Sequence, residues 1–308
     1  MRNSSSTQPV WRIRGRDLSL DRPLILGILN VTPDSFSDGG EHAGLDSALA
    51  WARAMRDSGA DMIDVGGEST RPGFAENAVP LEEERRRVIP VVRALASEGF
   101  LVSVDTSKPE IMREAAEAGA HVINDIRGFE LPGALEAAAR TDCGLVLMDR
   151  TPLGAEESAV ERVLEYLEKR EAEFRRLGVE MERICRDPGF GFGKTPEQNF
   201  DLLAGTSRFA EDGRAVMAAV SRKSSIGWAT GVSEPKRRVP GSCAAALLAV
   251  ERGAFIVRTH DCGEMRQAFD VWTAFRNSEN RIKMGGAESS RQRAQLAGEG
   301  ADKTESLS

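Results

Sequence analysis

What most constrains this chain is an alternation between two kinds of segment, repeated from Leu24 to Arg276. Short apolar runs bounded by polar or glycine residues occur at Leu24–Asn30, Met62–Gly66, Leu101–Asp105, Val122–Asp125, Leu145–Met148, Ile184–Asp187, Val216–Val220 and Phe255–Arg258. Such near-continuous apolar character suits strands buried on both faces. Between them lie runs with 3.6-residue periodicity: Leu45–Asp57, Leu81–Ala96, Pro109–Ala118, Gly133–Arg140, Glu157–Leu177, Pro196–Ala204, Gly241–Arg252 and Glu264–Arg276. Several end at a glycine that fits a C-terminal helix cap, among them Gly59, Gly119, Gly178 and Gly253. Strand and helix in alternation imply a parallel sheet. The eightfold count favours a closed (β/α)8 TIM barrel over an open doubly wound sheet, and no GxGxxG follows the first strand.

The 308 residues suffice for one such barrel, about 250 residues, with extensions. The barrel is expected over 17–284. The polar segment 1–16 is expected to be loose. The segment 285–308 is rich in Gly, Ala, Ser, Glu and Gln, buries too little to offset its ordering entropy, and is expected to be a disordered tail. A net charge of −7 argues against a nucleic-acid partner. No run approaches the ~20 apolar residues of a membrane span, and the N-terminus lacks the apolar core of a signal peptide. A cytoplasmic protein without a membrane partner is the expectation. Cys143, Cys185, Cys243 and Cys262 form no CxxC pair and read as reduced thiols.

The unusual residues gather at strand C-termini, the face that carries the active site in a barrel. Every strand but the fifth runs into Asn, Asp, Lys, Arg or His. A lone Asp there is ordinarily a helix N-cap or turn former. Packing alone does not ask for so many polar groups at one mouth, and they need partners. Arg258 and His260 lie two residues apart and can share one side. With Asn30, Ser69, Thr70 and Arg71 they could form an anion site, since guanidinium forks, hydroxyls and loop N–H groups suit phosphate oxygens. The alternatives are a structural ion pair for Arg258 and N-capping or packing for His260. Asp105, Asn124, Asp187 and Lys223 suit a flat heterocycle rich in ring N–H, amino and carbonyl groups. The alternative for Lys223 is a salt bridge to Asp187. In DPGFGFGK, three glycines surround Phe190 and Phe192, whose rings either cover a bound ring or pack in the core.

These segments resemble the dihydropteroate synthase family. GILNVTPDSFSDGG (Gly27–Gly40) and IDVGGESTRPG (Ile63–Gly73) are similar to its two signatures. SVDTSKPE, INDIRGF, DPGFGFGK, SRKSSIG and VRTHD follow in the family's order, so the resemblance covers roughly Pro23 to Arg276. It implies an enzyme, usually a homodimer, that condenses 6-hydroxymethyl-7,8-dihydropterin pyrophosphate with p-aminobenzoate, using Mg²⁺. By motif, Asp105, Asn124, Asp187 and Lys223 would bind the pterin, with Met148 against its face. Asn30, Thr70, Arg71, Arg258 and His260 would hold the pyrophosphate, Asn30 also near Mg²⁺. Phe36, Pro72, Phe192, Lys223 and Ser224 would border p-aminobenzoate, where sulfonamides compete in this family. The implied catalytic group is Asp105, Lys223, Arg258 and His260, with Asp105 stabilising the cation formed as pyrophosphate leaves. One departure stands out: LMDRTPLG (Leu147–Gly154) puts Asp149 where the family usually has histidine. That departure leaves room for a catalytically weak pterin-binding paralogue. A methyltransferase on the same barrel would not need NVTPDSF, GESTRPG or RTHD.

Overall fold

The structure, a computed structural model, describes residues 10–31, 40–68, 79–154 and 156–302, without the side chains of 40–43 and 284–302. The expectation for residues 1–9 and the site assignments to Phe36, Ser69, Thr70, Arg71 and Pro72 lie outside the described residues.

The eight apolar runs form one closed parallel barrel. Its strands are β3 (Leu24–Asn30), β4 (Met62–Gly66), β5 (Val102–Asp105), β6 (Val122–Asp125), β7 (Gly144–Met148), β8 (Ile184–Asp187), β9 (Ala215–Ala218) and β10 (Ile256–Thr259), with β10 pairing β3 to close the ring. The helices that follow β3 to β7 are α1 (Gly40–Asp57), α2 (Leu81–Ser97), α3 (Pro109–Ala118), α4 (Ala134–Ala139) and α5 (Ala159–Arg176). After β8 and β9 come α6 (Pro196–Ala204), α7 (Thr206–Ala210), α8 (Ser224–Thr230) and α9 (Val239–Glu251). Gly119 caps α3 in the left-handed conformation, with its N–H bonded to Ala115 and Ala116 carbonyls, as the sequence led us to expect. The helix α10 spans Cys262–Asp302, and from Gln267 onward the chain forms a unit of its own. The backbone of 285–302 continues that helix, and Ala, Glu, Gln and Arg are good helix formers.

The N-terminal segment departs from expectation over 10–16. β1 (Val10–Ile13) and β2 (Arg16–Ser19) pair antiparallel through a two-residue turn, Arg14–Gly15, with φ of 43° and 66°. That is the hairpin turn matched to strand twist. Trp11 and Ile13 are fully buried and join Leu26, Met62, Val122, Val146, Cys185, Met217 and Ile256 across the barrel's N-terminal end. Trp11 also donates its indole N–H to the Arg183 carbonyl at 3.0 Å. Gly144 permits this approach, because a Cβ there would lie 2.5 Å from Ile13 Cγ2. We expect Trp11→Ala to cost about 3–5 kcal/mol, read as a lowered urea midpoint. A cavity of about 290 Å³ under the hairpin is lined mainly by apolar groups, and its Arg22 and Asp61 are already paired with each other at 2.6 Å. No chemistry converges there.

Candidate active site

Strand register sets the site. Asn30 of β3 pairs with Gly66 of β4, Gly66 with Asp105 of β5, and Asp105 with Asn124 of β6. Four strand ends therefore meet at one level. Gly66 leaves the gap between Asn30 and Asp105 open, since a Cβ there would sit 3.5 Å from Asp105 Cβ and 3.7 Å from Asn30 Oδ1. On the far side Met148 of β7 pairs with Asp187 of β8. Asn124, Met148 and Asp187 are buried at these strand ends, as Asp105 is.

Arg258 of β10 organises the centre. Its Nε donates to Asp64 Oδ2 and its Nη2 to Asp105 Oδ2, both at 2.6 Å. Asn124 Nδ2 donates to the same Asp64 oxygen at 3.1 Å. Asp64 is wholly buried, and its Oδ1 has no hydrogen-bond partner among the described residues. Sequence reasoning counted this carboxylate among the polar strand ends but gave it no role. Its signal was a charge inside the apolar run Met62–Gly66, two residues before the strand end. The structural ion-pair alternative for Arg258 is thus realised, but inside the site. A guanidinium carries five donors, so donors remain for an incoming anion.

Burial pushes the Asp105 carboxyl up to about 7, against the lowering effect of Arg258. Asp187 is raised by burial, against the lowering effect of the hydrogen bond its Oδ1 accepts from Gly189 N–H at 2.8 Å. Loss of hydration lowers the Lys223 ammonium to about 8, with Asp187 acting in the opposite sense. Each shift disfavours the charged form, and ligand groups that pair with these charges reverse that cost.

The salt bridge to Asp187 that was the alternative reading of Lys223 is not formed. The Lys223 ammonium lies over the Phe192 ring, 4.2 Å from its centroid. Phe190, the other ring of that loop, is buried beside Asn199, Leu203 and Val220. Lys223 is set by Arg222, which adopts a left-handed φ of 57°. Its backbone N–H donates to Ser242 Oγ at 2.9 Å, and its guanidinium holds Asp261 through two hydrogen bonds. That pair ties SRKS to RTHD. Ser221 Oγ in turn meets His260 Nδ1 at 3.1 Å. Ser224 is exposed at the start of α8. Glu68, at the start of the second signature loop, pairs with Lys108 at 3.4 Å and Arg127 at 3.8 Å.

The profile of the family described as "Pterin binding enzyme" matches residues 26–260. A dihydropteroate synthase of Escherichia coli K12 is 46% identical over 266 residues, covering 84% of this chain and 93% of that protein. The chain belongs to the pterin-binding enzyme family. Among solved members of the family, a Xanthomonas albilineans dihydropteroate synthase with 4-aminobenzoic acid superposes with a TM-score of 0.82 at 46% identity, covering 88% of this chain and 99% of that one. A structure of the Xanthomonas albilineans enzyme in complex with 7,8-dihydropteroate gives 0.79 at 45%, covering 87% and 99%. The barrel and the family read from sequence are both upheld.

Proposed function

We propose that this chain acts as a dihydropteroate synthase, joining 6-hydroxymethyl-7,8-dihydropterin pyrophosphate to p-aminobenzoate with release of pyrophosphate. The observation that carries the reading is the convergence of Asp105, Asn124, Asp187, Lys223 and Arg258 at one mouth of a barrel whose relatives are synthases along nearly their whole length. A merely pterin-binding paralogue and a folate methyltransferase are both less favoured, because those relatives are synthases.

In this reading Asp187 and Asn124 accept from the pterin's amino and ring N–H groups, and the Lys223 ammonium donates to its carbonyl. Met148 packs against the ring. Asp105 faces the methylene carbon and stabilises the positive charge that builds as the C–O bond to pyrophosphate breaks. Arg258 supplies donors to the departing phosphates while holding Asp105 in place, and His260, with Thr70 and Arg71, completes the anion site. Phe36, Pro72, Phe192 and Ser224 border the p-aminobenzoate, whose amine then attacks the carbon. No covalent enzyme intermediate is needed.

The donor set suits Mg²⁺ bound mainly by the substrate. Mg²⁺ takes hard oxygen ligands and keeps several waters, using few protein groups besides phosphate oxygens. Asn30 presents its amide oxygen beside Gly66 at the mouth, which fits that role. When bound, the ion would neutralise charge on the leaving pyrophosphate. A homodimer, which the family resemblance implies, is to be checked by light scattering. No helix among the described residues is long and apolar enough to cross a membrane. The four free cysteines are in keeping with a reducing compartment such as the cytoplasm.

The test is pyrophosphate release by the purified protein given the pterin pyrophosphate, Mg²⁺ and p-aminobenzoate. Release that depends on p-aminobenzoate, with dihydropteroate formed, is the expected result. Pterin binding without release would leave only the paralogue reading.

A further inference from the structure

The departure at Asp149 has a partner. The Asp149 carboxylate Oδ2 lies 2.9 Å from Lys194 Nζ, and the two side chains are 1% and 0% exposed. Lys194 Nζ also donates to the Asp149 carbonyl at 3.1 Å, while Asp149 Oδ1 accepts from Thr151 N–H at 3.0 Å. Both charges are therefore hydrogen-bonded as well as paired, the condition under which a buried pair holds together.

The pair joins two segments that flank the pterin subsite. Asp149 directly follows Met148, and its N–H donates to the Asp187 carbonyl at 3.3 Å, extending the β7–β8 ladder by one residue. Lys194 ends the loop that Asp187 begins. Between them Gly189, Gly191 and Gly193 all have left-handed φ, of 74°, 79° and 62°. Glycine populates that region freely but also leaves it freely, so this stretch has little stiffness of its own. Its shape depends on what it rests against. The Gly189 Cα faces the Asp149 carbonyl so closely that a Cβ would fall 1.7 Å from that oxygen. The Gly193 carbonyl accepts from Leu153 N–H at 3.0 Å. Gly191 packs on the Lys223 side chain, and Phe192 carries the Lys223 ammonium on its ring. The loop thus sets both the acceptor geometry of Asp187, through Gly189 N–H, and the seat of Lys223.

We propose that the buried Asp149–Lys194 pair is a positioning device that holds the Asp187–Lys194 loop in the shape that binds pterin. The proposal rests on the pterin site described above. Asp149 and Lys194 are positioning residues: they act through Asp187, Phe192 and Lys223 without meeting the substrate. In this chain a carboxylate takes the place of the expected histidine, and its charge is what locks the lysine beneath the loop.

The experiment measures the urea midpoint and the affinity for 6-hydroxymethylpterin on the full chain. The proteins are wild type, Asp149→Asn, Lys194→Met, the double variant Asp149→Leu/Lys194→Met, and Asp187→Asn as a control. Each single variant leaves one buried charge unpartnered and is expected to lower the midpoint. The double variant removes both charges and is expected to recover it, since apolar pairs replace buried ion pairs at little cost. Pterin affinity, in contrast, is expected to fall roughly ten- to a hundredfold in all three, because the clamp's directional bonds are gone. Affinity that returns with the midpoint in the double variant, or that stays at the wild-type value throughout, would overturn the positioning role and leave a structural pair. A wild type that does not bind the pterin, or an Asp187→Asn control that binds as wild type does, would overturn the pterin-site reading itself and the proposal with it.

Discussion

Arg258→Ala is expected to lower kcat/KM at pH 7 on the order of a thousandfold, about 4 kcal/mol, and to move the pH optimum to the alkaline side. The guanidinium bridges two carboxylates, Asp64 and Asp105, that are buried at the barrel mouth. Removing one partner of a buried pair leaves charges without compensation, at a typical cost of about 3–5 kcal/mol. The site avoids part of that cost by protonating. Arg258 lowers the pKa of Asp105 and Asp187, and it also lowers that of Lys223. Its loss moves all three upward. In the wild type, kcat/KM is expected to rise as Asp105 ionises near 7 and to fall as Lys223 loses its proton near 8. In Arg258→Ala both limbs shift the same way, so the deficit is largest at neutral pH and smaller at high pH. Arg258→Lys keeps a charge but cannot reach both carboxylates with a fork, so it should fall between the two. A pH–rate profile settles the point: a uniform loss with an unmoved optimum would mean that Arg258 acts only on the leaving group.

Sequence could weigh an anion site against an ion pair for Arg258 but could not name the ion-pair partners, and the reason is geometric. Its neighbours in sequence, Thr259 and His260, belong to the motif that resembles a phosphate site, whereas its hydrogen-bond partners come from β4 and β5 across the barrel. A strand-by-strand reading shows which residues reach the mouth but not which reach across it. Asp105, Asn124 and Asp187 were legible because each ends an apolar run, and Lys223 because it follows one closely. Asp64 was noted as the polar residue of its strand but received no role, because a single polar residue inside a strand carries no direction until closure shows that it points inward. The hairpin Val10–Ile13/Arg16–Ser19 was hidden for another reason. Its turn is Arg-Gly, without the Asn-Gly or Asp-Gly signal, and it sits beside a polar segment whose composition dominated the reading. The short helix Ser224–Thr230 gave too few turns to show a period. Asp149 was visible as a departure, but its meaning needed Lys194, which in sequence is a plain loop lysine. The assignments to Phe36 and Pro72 come from motif alone.

Asp105→Asn separates function from stability at the same site. If Asp105 stabilises the cation at the methylene carbon, the amide should lower kcat by about a hundredfold or more, since it keeps the shape and loses the charge. The KM for p-aminobenzoate should change much less. Stability should respond in the opposite sense. The folded-state pKa of Asp105 is raised to about 7, above the ordinary carboxylate value of 3.8 that the unfolded chain retains. Between those values the folded protein binds more protons than the unfolded one, so this group makes stability fall as pH rises, by up to ~1.4 kcal/mol per pH unit, and the slope vanishes above about 7. The amide cannot titrate. The variant should therefore lose much of the decline in urea midpoint between about pH 4 and 7. Asp125, raised to about 6 by burial, and Asp187, raised by burial, leave a weaker slope of the same sign. A variant that turns over slowly yet holds its stability at neutral pH would show that the fold tolerates a costly carboxylate there because the chemistry needs its charge. Equal loss of rate and of stability would instead make Asp105 the structural partner of Arg258, and the cation would have to be stabilised by another group.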